Sequence, residues 1–173
     1  MCVNVSIVSC PNYEPSVVRN ALSAVLEPLG GLDWVVPGMR IAIKANLVAR
    51  MKPETAAATH PALVAELCRM LTERGAEVVV GDSPGGPFTA AWVGSIYTGT
   101  GMRAVEAAGA SLNSDYSTCE VSFPEGNTVK SFPYTAWLEK ADAVIDFAKL
   151  KTHAMAGMTC AVKNFFGVIP GTR

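Results

Sequence analysis

Side chains able to hold an anion cluster at three points of this 173-residue chain, each directly after a short apolar run: Lys44 and Asn46, then Asp82 and Ser83, then Lys149, Lys151 and His153. Ammonium groups supply charge, amides and hydroxyls orient a bound group, and an imidazole that titrates near neutral pH can move a proton. Three separate clusters become one site if the runs before them are parallel strands. Parallel strands share a direction, and open α/β sheets bind ligands along their carboxyl edge. The alternative for any single cluster is that it only solvates a strand end, so their convergence is the stronger signal.

The charge distribution sharpens this expectation. Residues 1–146 carry ten Lys or Arg against fifteen Asp or Glu, whereas residues 147–173 carry four Lys or Arg and no acid. A helix opening near Gly157-Met158-Thr159 would turn free N–H groups and the positive end of its dipole toward Lys149, Lys151 and His153. Together with Thr159, Lys163 and Asn164, this predicts a site for a small anion, a phosphate or a carboxylate. A solvated cationic face is the competing reading, but the Ala, Gly, Met and Phe residues around these lysines favour burial.

His153 and Lys163 are the candidate catalytic residues, and Lys44, Asn46, Asp82, Ser83, Lys149, Lys151, Thr159 and Asn164 the candidate ligand-binding ones. His60 reads instead as a helix-entry residue. Asp82 could orient a lysine or accept a ligand hydroxyl, and it has no evident carboxylate partner for paired acid/base work. The loop Gly81-Asp82-Ser83-Pro84-Gly85-Gly86 only loosely resembles a phosphate cradle, because it lacks the Lys-Ser/Thr of a P-loop; a tight turn is the other reading. Two histidines without matching cysteine or acidic spacing predict no metal site. Trp34, Trp92 and Trp137 read as core or cover.

The elements that must position these groups follow from periodicity. Residues 3–9 are mostly β-branched and apolar, which predicts a strand. Val17, Val18, Ala21, Leu22, Val25, Leu26 and Leu29 recur at helical spacing between Pro15 and the stop at Gly30-Gly31. A second strand is expected over 40–44. A helix should start near Thr59-His60-Pro61, with Leu63, Val64, Leu67, Met70 and Leu71 buried and Glu66, Arg69 and Glu73 outside. The run 78–80 is short and wholly apolar, as in a central parallel strand covered on both faces.

Residues 87–135 read as an insertion or sheet edge, with a helix at Met102–Ala108 and short strands broken by Pro124, Gly126 and Pro133. Order returns with a short helix over 135–140, a strand over 143–148 and a helix over 158–166. The prediction is a single α/β domain over 1–173, three-layered, with a mainly parallel sheet and helices on both faces.

Composition excludes several classes. A formal net charge of −1 gives no field to hold a nucleic-acid backbone. No apolar run approaches the ~20 residues of a membrane span, and Met1 to Cys10 is too short and too weakly basic to be expected to act as a signal peptide. Five cysteines, Cys2, Cys10, Cys68, Cys119 and Cys160, are odd in number and lack a Cys-x-x-Cys pair, so they are expected to be buried thiols in a reducing compartment, which points to the cytoplasm.

The blocks Lys44-Ala45-Asn46-Leu47-Val48, Thr59-His60-Pro61, Gly81-Asp82-Ser83-Pro84-Gly85, Lys149-Leu150-Lys151-Thr152-His153 and residues 158–171 resemble, in order and spacing, the domain-of-unknown-function 362 family. The resemblance runs from about residue 3 to the C-terminus. It implies no defined reaction or cofactor. Many members carry a ferredoxin-like domain with Cys-rich motifs for four-iron clusters, and this chain has no such motif. The resemblance also implies a longer domain continuing beyond Pro170-Gly171, so this chain is expected to be an incomplete or short member. A ferredoxin-like domain or a second copy of the chain is then a candidate partner, and a docking role in iron–sulfur electron transfer is the alternative to a small-molecule site. A structural fragment with no activity of its own is a third reading. More distantly, His153, Gly157, Lys163 and Pro170-Gly171 are similar in layout to the nickel-pincer lactate racemases. That likeness would match Lys163 to their cofactor-bearing lysine, although the Gly-Gly pair before it is absent.

Overall fold

A computed structural model describes residues 4–171. Along the chain it forms α1 (Pro15–Leu26), β1 (Arg40–Ala45), α2 (Pro61–Thr72), β2 (Glu77–Gly81), α3 (Ala90–Gly99), β3 (Ser111–Leu112), β4 (Thr118–Ser122), β5 (Ser131–Thr135), β6 (Ala143–Phe147), β7 (Lys151–His153), β8 (Gly157–Thr159) and α4 (Ala161–Phe165). Four strands form one parallel sheet in the order β3-β2-β1-β6. The order runs outward from β1 through β2 to β3 and then resumes with β6 on the other side of β1. The junction of β1 and β6 is therefore a topological switch point, where a crevice opens beyond the strand ends.

β1 is buried on both faces, so its apolar run shows no alternation. Ile41, Ile43 and Ala45 point to one side and pack with Val78 and Val80 of β2 against Val18 and Leu22 of α1, Val64, Leu67 and Leu71 of α2, and Val93 and Ile96 of α3. Ala42 and Lys44 point to the other side. That side is covered more thinly, by α4 and by Trp137 in the 3-10 turn Ala136–Lys140. Gly81 allows the close approach: a Cβ there would lie 2.8 Å from the Trp137 ring.

The entry to α2 is set as the sequence suggests. The His60 ring accepts a hydrogen bond from the Ala62 N–H at 3.3 Å, and Pro61 takes a first-turn position that needs no donor. Glu66 departs from expectation: it is buried, not exposed, because α1 crosses α2 there and brings Arg19 to 3.1 Å, with Arg69 one turn along also bonding the carboxylate.

Other expectations are corrected. Residues 4–9 form no strand and leave Val5 and Ile7 exposed, since β propensity without a ladder partner does not make a strand; Cys2 and Val3 lie outside the described residues. The insertion exists as a separate antiparallel hairpin, β4 with β5, but α3 ahead of it was not expected. The helix expected over 158–166 is only the five-residue α4; Gly157–Thr159 instead pairs antiparallel with β7. Of the described cysteines, Cys68 is buried, Cys10 and Cys119 are half-buried, and Cys160 is exposed. Trp92 is a cover residue, its indole N–H donating to the Gly85 carbonyl at 3.0 Å. Among the described residues, no helix is long and apolar enough to cross a membrane.

Candidate functional site

Lys44 is the buried centre of the carboxyl edge, at 1% exposure. An ammonium taken out of water needs a countercharge and acceptors for its three N–H groups. It has Asp82 Oδ1 at 2.6 Å, the Ala45 carbonyl at 2.8 Å and Asn164 Oδ1 at 3.2 Å. The other Asp82 oxygen accepts from the Leu47 N–H at 2.8 Å, which ties the end of β2 to the chain leaving β1.

Asn164 of α4 joins these strands. Its amide donates to the Lys44 carbonyl at 3.1 Å and to Asp146 Oδ1, while its oxygen accepts from Lys44 and from Asn46 Nδ2 at 3.1 Å. Thr59 closes the other flank, its hydroxyl accepting from the Asn46 N–H at 2.9 Å and donating to the Phe147 carbonyl at 2.8 Å. Gly167 passes directly over the ion pair, where a Cβ would lie 2.9 Å from both Asp82 Oδ1 and Lys44 Nζ. Gly167→Ala is therefore expected to lower stability by about 1–3 kcal/mol, the usual cost of overpacking. A urea unfolding midpoint indistinguishable from that of the unaltered protein would refute this packing account.

Above the pair lies a cavity of about 290 Å³ lined by Lys44, Asn46, Asp82, Ser83, Lys151, His153, Thr159, Lys163 and Asn164, with Val48, Pro84, Gly85 and Gly167. Alternation in the β7–β8 hairpin explains the third cluster. Lys151 and His153 share one face, and Thr152 between them points to the other. Lys149 precedes the hairpin and does not line the cavity. Nine of the ten sequence-selected residues thus meet, and Lys149 does not.

Each group's bonding limits its role. Asp82 is neutralised by its ion pair with Lys44. Ser83 donates its hydroxyl to the Gly167 carbonyl, and Thr159 donates to the Lys149 carbonyl at 2.9 Å. Lys151 donates to Asn46 Oδ1 and the Ala57 carbonyl. Burial holds its pKa below the ordinary lysine value; Asp82 counters this, while Lys149 and Lys163 add to it. Nδ1 of His153 accepts from the Met155 and Ala156 N–H groups at 3.2 and 3.1 Å, so the neutral ring carries its proton on Nε2 and offers a donor. That geometry disfavours His153 as a base. The anion site expected at a helix start near Gly157 does not form, because that segment is a hairpin strand.

Two residues escaped the sequence reading. Asp146 lies opposite Lys44 in the β1–β6 register, with Oδ2 buried and without a hydrogen-bond partner among the described residues. Burial is the main cause raising its pKa, the Asn164 hydrogen bond and the Lys44 charge oppose that, and Asp82 adds to it. An acid inside Ala143-Val144-Ile145-Asp146-Phe147 is a visible signal for it. Val48 lines the cavity with φ of 59°, a left-handed backbone that a β-branched residue rarely adopts; it falls within the Lys44–Val48 block, but an apolar side chain gives no sign of that conformation.

The family profile described as a domain of unknown function (DUF362) matches residues 41–173, which take in the sheet from the second residue of β1 onward and the whole cavity lining. The chain is also 33% identical over 177 residues to the thylakoid-associated protein sll1697 of Synechocystis sp. (strain ATCC 27184 / PCC 6803 / Kazusa). That alignment takes in 99% of this chain and 52% of the relative, so the chain spans about half the relative's length. No solved structure matches the chain.

Proposed function

From the premise that this chain belongs to the DUF362 family, whose description assigns no activity, we propose that the cavity at the carboxyl edge binds a small oxyanion, a phosphate or a carboxylate. One observation carries the reading: the lining holds three lysines and a single carboxylate, and that carboxylate is already neutralised by Lys44. Lys151 and Lys163 therefore leave the cavity wall with an excess of positive charge. Asn46 and the His153 Nε2–H add polar groups that can orient an oxyanion. Lys44 sets the frame and does not contact the ligand. The cavity's position at the switch point between β1 and β6 supports the same reading.

A docking module would spread these lysines around a flat surface. Their gathering in one concavity makes that alternative the weaker one. The association with thylakoids belongs to the relative.

The test is calorimetric titration with inorganic phosphate. Lys151→Met and Lys163→Met are each expected to weaken binding by about tenfold or more, the loss of a charge-assisted contact of about 1.5–3 kcal/mol. Unchanged affinity in both variants would remove the basis for the site. Sulfate, a permanent dianion, supplies the pH test. Binding needs the Lys151 ammonium, whose pKa is held below the ordinary 10.5. Sulfate affinity should therefore fall as pH rises through a point below 10.5, and that step should vanish in Lys151→Met. A profile flat up to the ordinary lysine range would contradict the role given to Lys151.

A further inference from the structure

Beside the oxyanion cavity lies a second, apolar depression, and the two share His153 and Lys163 in their walls. The second one has a volume of about 1070 Å³ and is lined otherwise by Met155, Met158, Val162 and Phe166 with small residues between them. Its walls are the β7–β8 turn and the outer side of α4. Met155 and Val162 are each 92% exposed, and Met158 61%. An apolar patch of this kind beside a polar site marks a binding surface, and flexible methionine side chains fit aliphatic chains of varied shape. Lys163 stands at the junction, its ammonium 4.7 Å from the centre of the Phe166 ring, with its charge at the border between polar and apolar walls.

We propose that the site takes an anionic single-chain amphiphile as a free molecule. The terminal phosphate or carboxylate sits between Lys151, Lys163 and the His153 Nε2–H, and the aliphatic chain runs over Met155, Met158 and Val162. This rests on the oxyanion reading above and deepens it. Two features argue for one occupant across both depressions: they adjoin at His153 and Lys163, which line both, and their charge and apolarity follow the order of head and tail. The head cavity is near the ~300 Å³ lower end for ligand pockets, so it fits a head group and leaves the chain outside.

Calorimetry with methyl, butyl and octyl phosphate below their micellar concentrations tests this on the full chain. Affinity should rise along the series, with octyl phosphate bound at least about tenfold tighter than methyl phosphate, since each methylene withdrawn from water adds to binding. Met158→Ser combined with Val162→Ser should return octyl phosphate to the affinity of methyl phosphate and leave methyl phosphate itself unchanged. Both residues are on the surface, so this variant keeps its fold. A flat series with methyl phosphate still bound would overturn the amphiphile and leave the oxyanion site standing. Absence of binding by every phosphate would overturn both. Octanol binding as tightly as octyl phosphate, or capture of phosphatidic acid vesicles in preference to the monomeric probe, would also overturn it, in favour of a headless apolar surface or a bilayer-docking face.

Discussion

Lys44→Met is expected to destabilise the fold by about 3–5 kcal/mol, because it leaves the Asp82 carboxylate buried without its countercharge. Asp82→Asn should cost a similar amount by stranding the ammonium. The double variant should recover most of the loss: two neutral side chains need no pairing, and an asparagine oxygen can still accept from the Leu47 N–H. Urea unfolding of the four proteins at pH 7 measures this. Single-variant costs below about 1 kcal/mol, or strictly additive losses, would rule out the pair as the interaction joining β1 to β2. Asp146→Asn supplies the contrast. The raised folded pKa of Asp146 means that the fold disfavours its charged form, so its stabilising contribution is present below the ordinary 3.8 and lost as pH rises through the folded value. At pH 7 the amide should therefore be neutral or stabilising, although Asp146 and Asp82 flank the same lysine.

That contrast also shows how far the sequence was readable. Lys44 and Asp82 announce themselves because each ends an apolar run, and parallel strands bring such endings together whatever the details of the helices. The same alternation that buries Ile41 and Ile43 sends Lys44 to the opposite face, yet the sequence does not say whether that face is wet or covered. It is covered by α4, a five-residue helix too short to show periodicity. A lysine that reads as a ligand contact is for that reason an internal one. α3 escaped notice on other grounds: Ala90-Ala91-Trp92-Val93-Gly94-Ser95-Ile96-Tyr97-Thr98-Gly99 contains two glycines and three β-branched residues, and its burial against the core outweighs that poor propensity. Residues 4–9 fail in the opposite sense, with strand composition and no strand to pair with.

The position of Asn164 leads to the second large effect. One primary amide bonds Lys44 twice, through its ammonium and its carbonyl, and also bonds Asn46 and Asp146. Asn164→Asp keeps the shape and removes both donors, placing a further carboxylate against Asp146 near Asp82, beside a Lys44 ammonium that is already paired with Asp82. The expected cost at pH 7 is about 3–5 kcal/mol. Like-charge neighbours and burial raise the pKa of the introduced group, so its penalty should shrink as pH falls, since protonation restores a donor toward Asp146. Asn164→Ala should cost about 2–4 kcal/mol from unsatisfied partners without gaining that pH dependence. The two variants also separate framework from ligand contact. Asn46 is held by Asn164 on one side and accepts from Lys151 on the other, so loss of the amide should loosen Lys151 and weaken phosphate binding several-fold even where the alanine variant is fully folded. Phosphate affinity unchanged in folded Asn164→Ala would mean that Lys151 is positioned by the Ala57 carbonyl and its own strand alone.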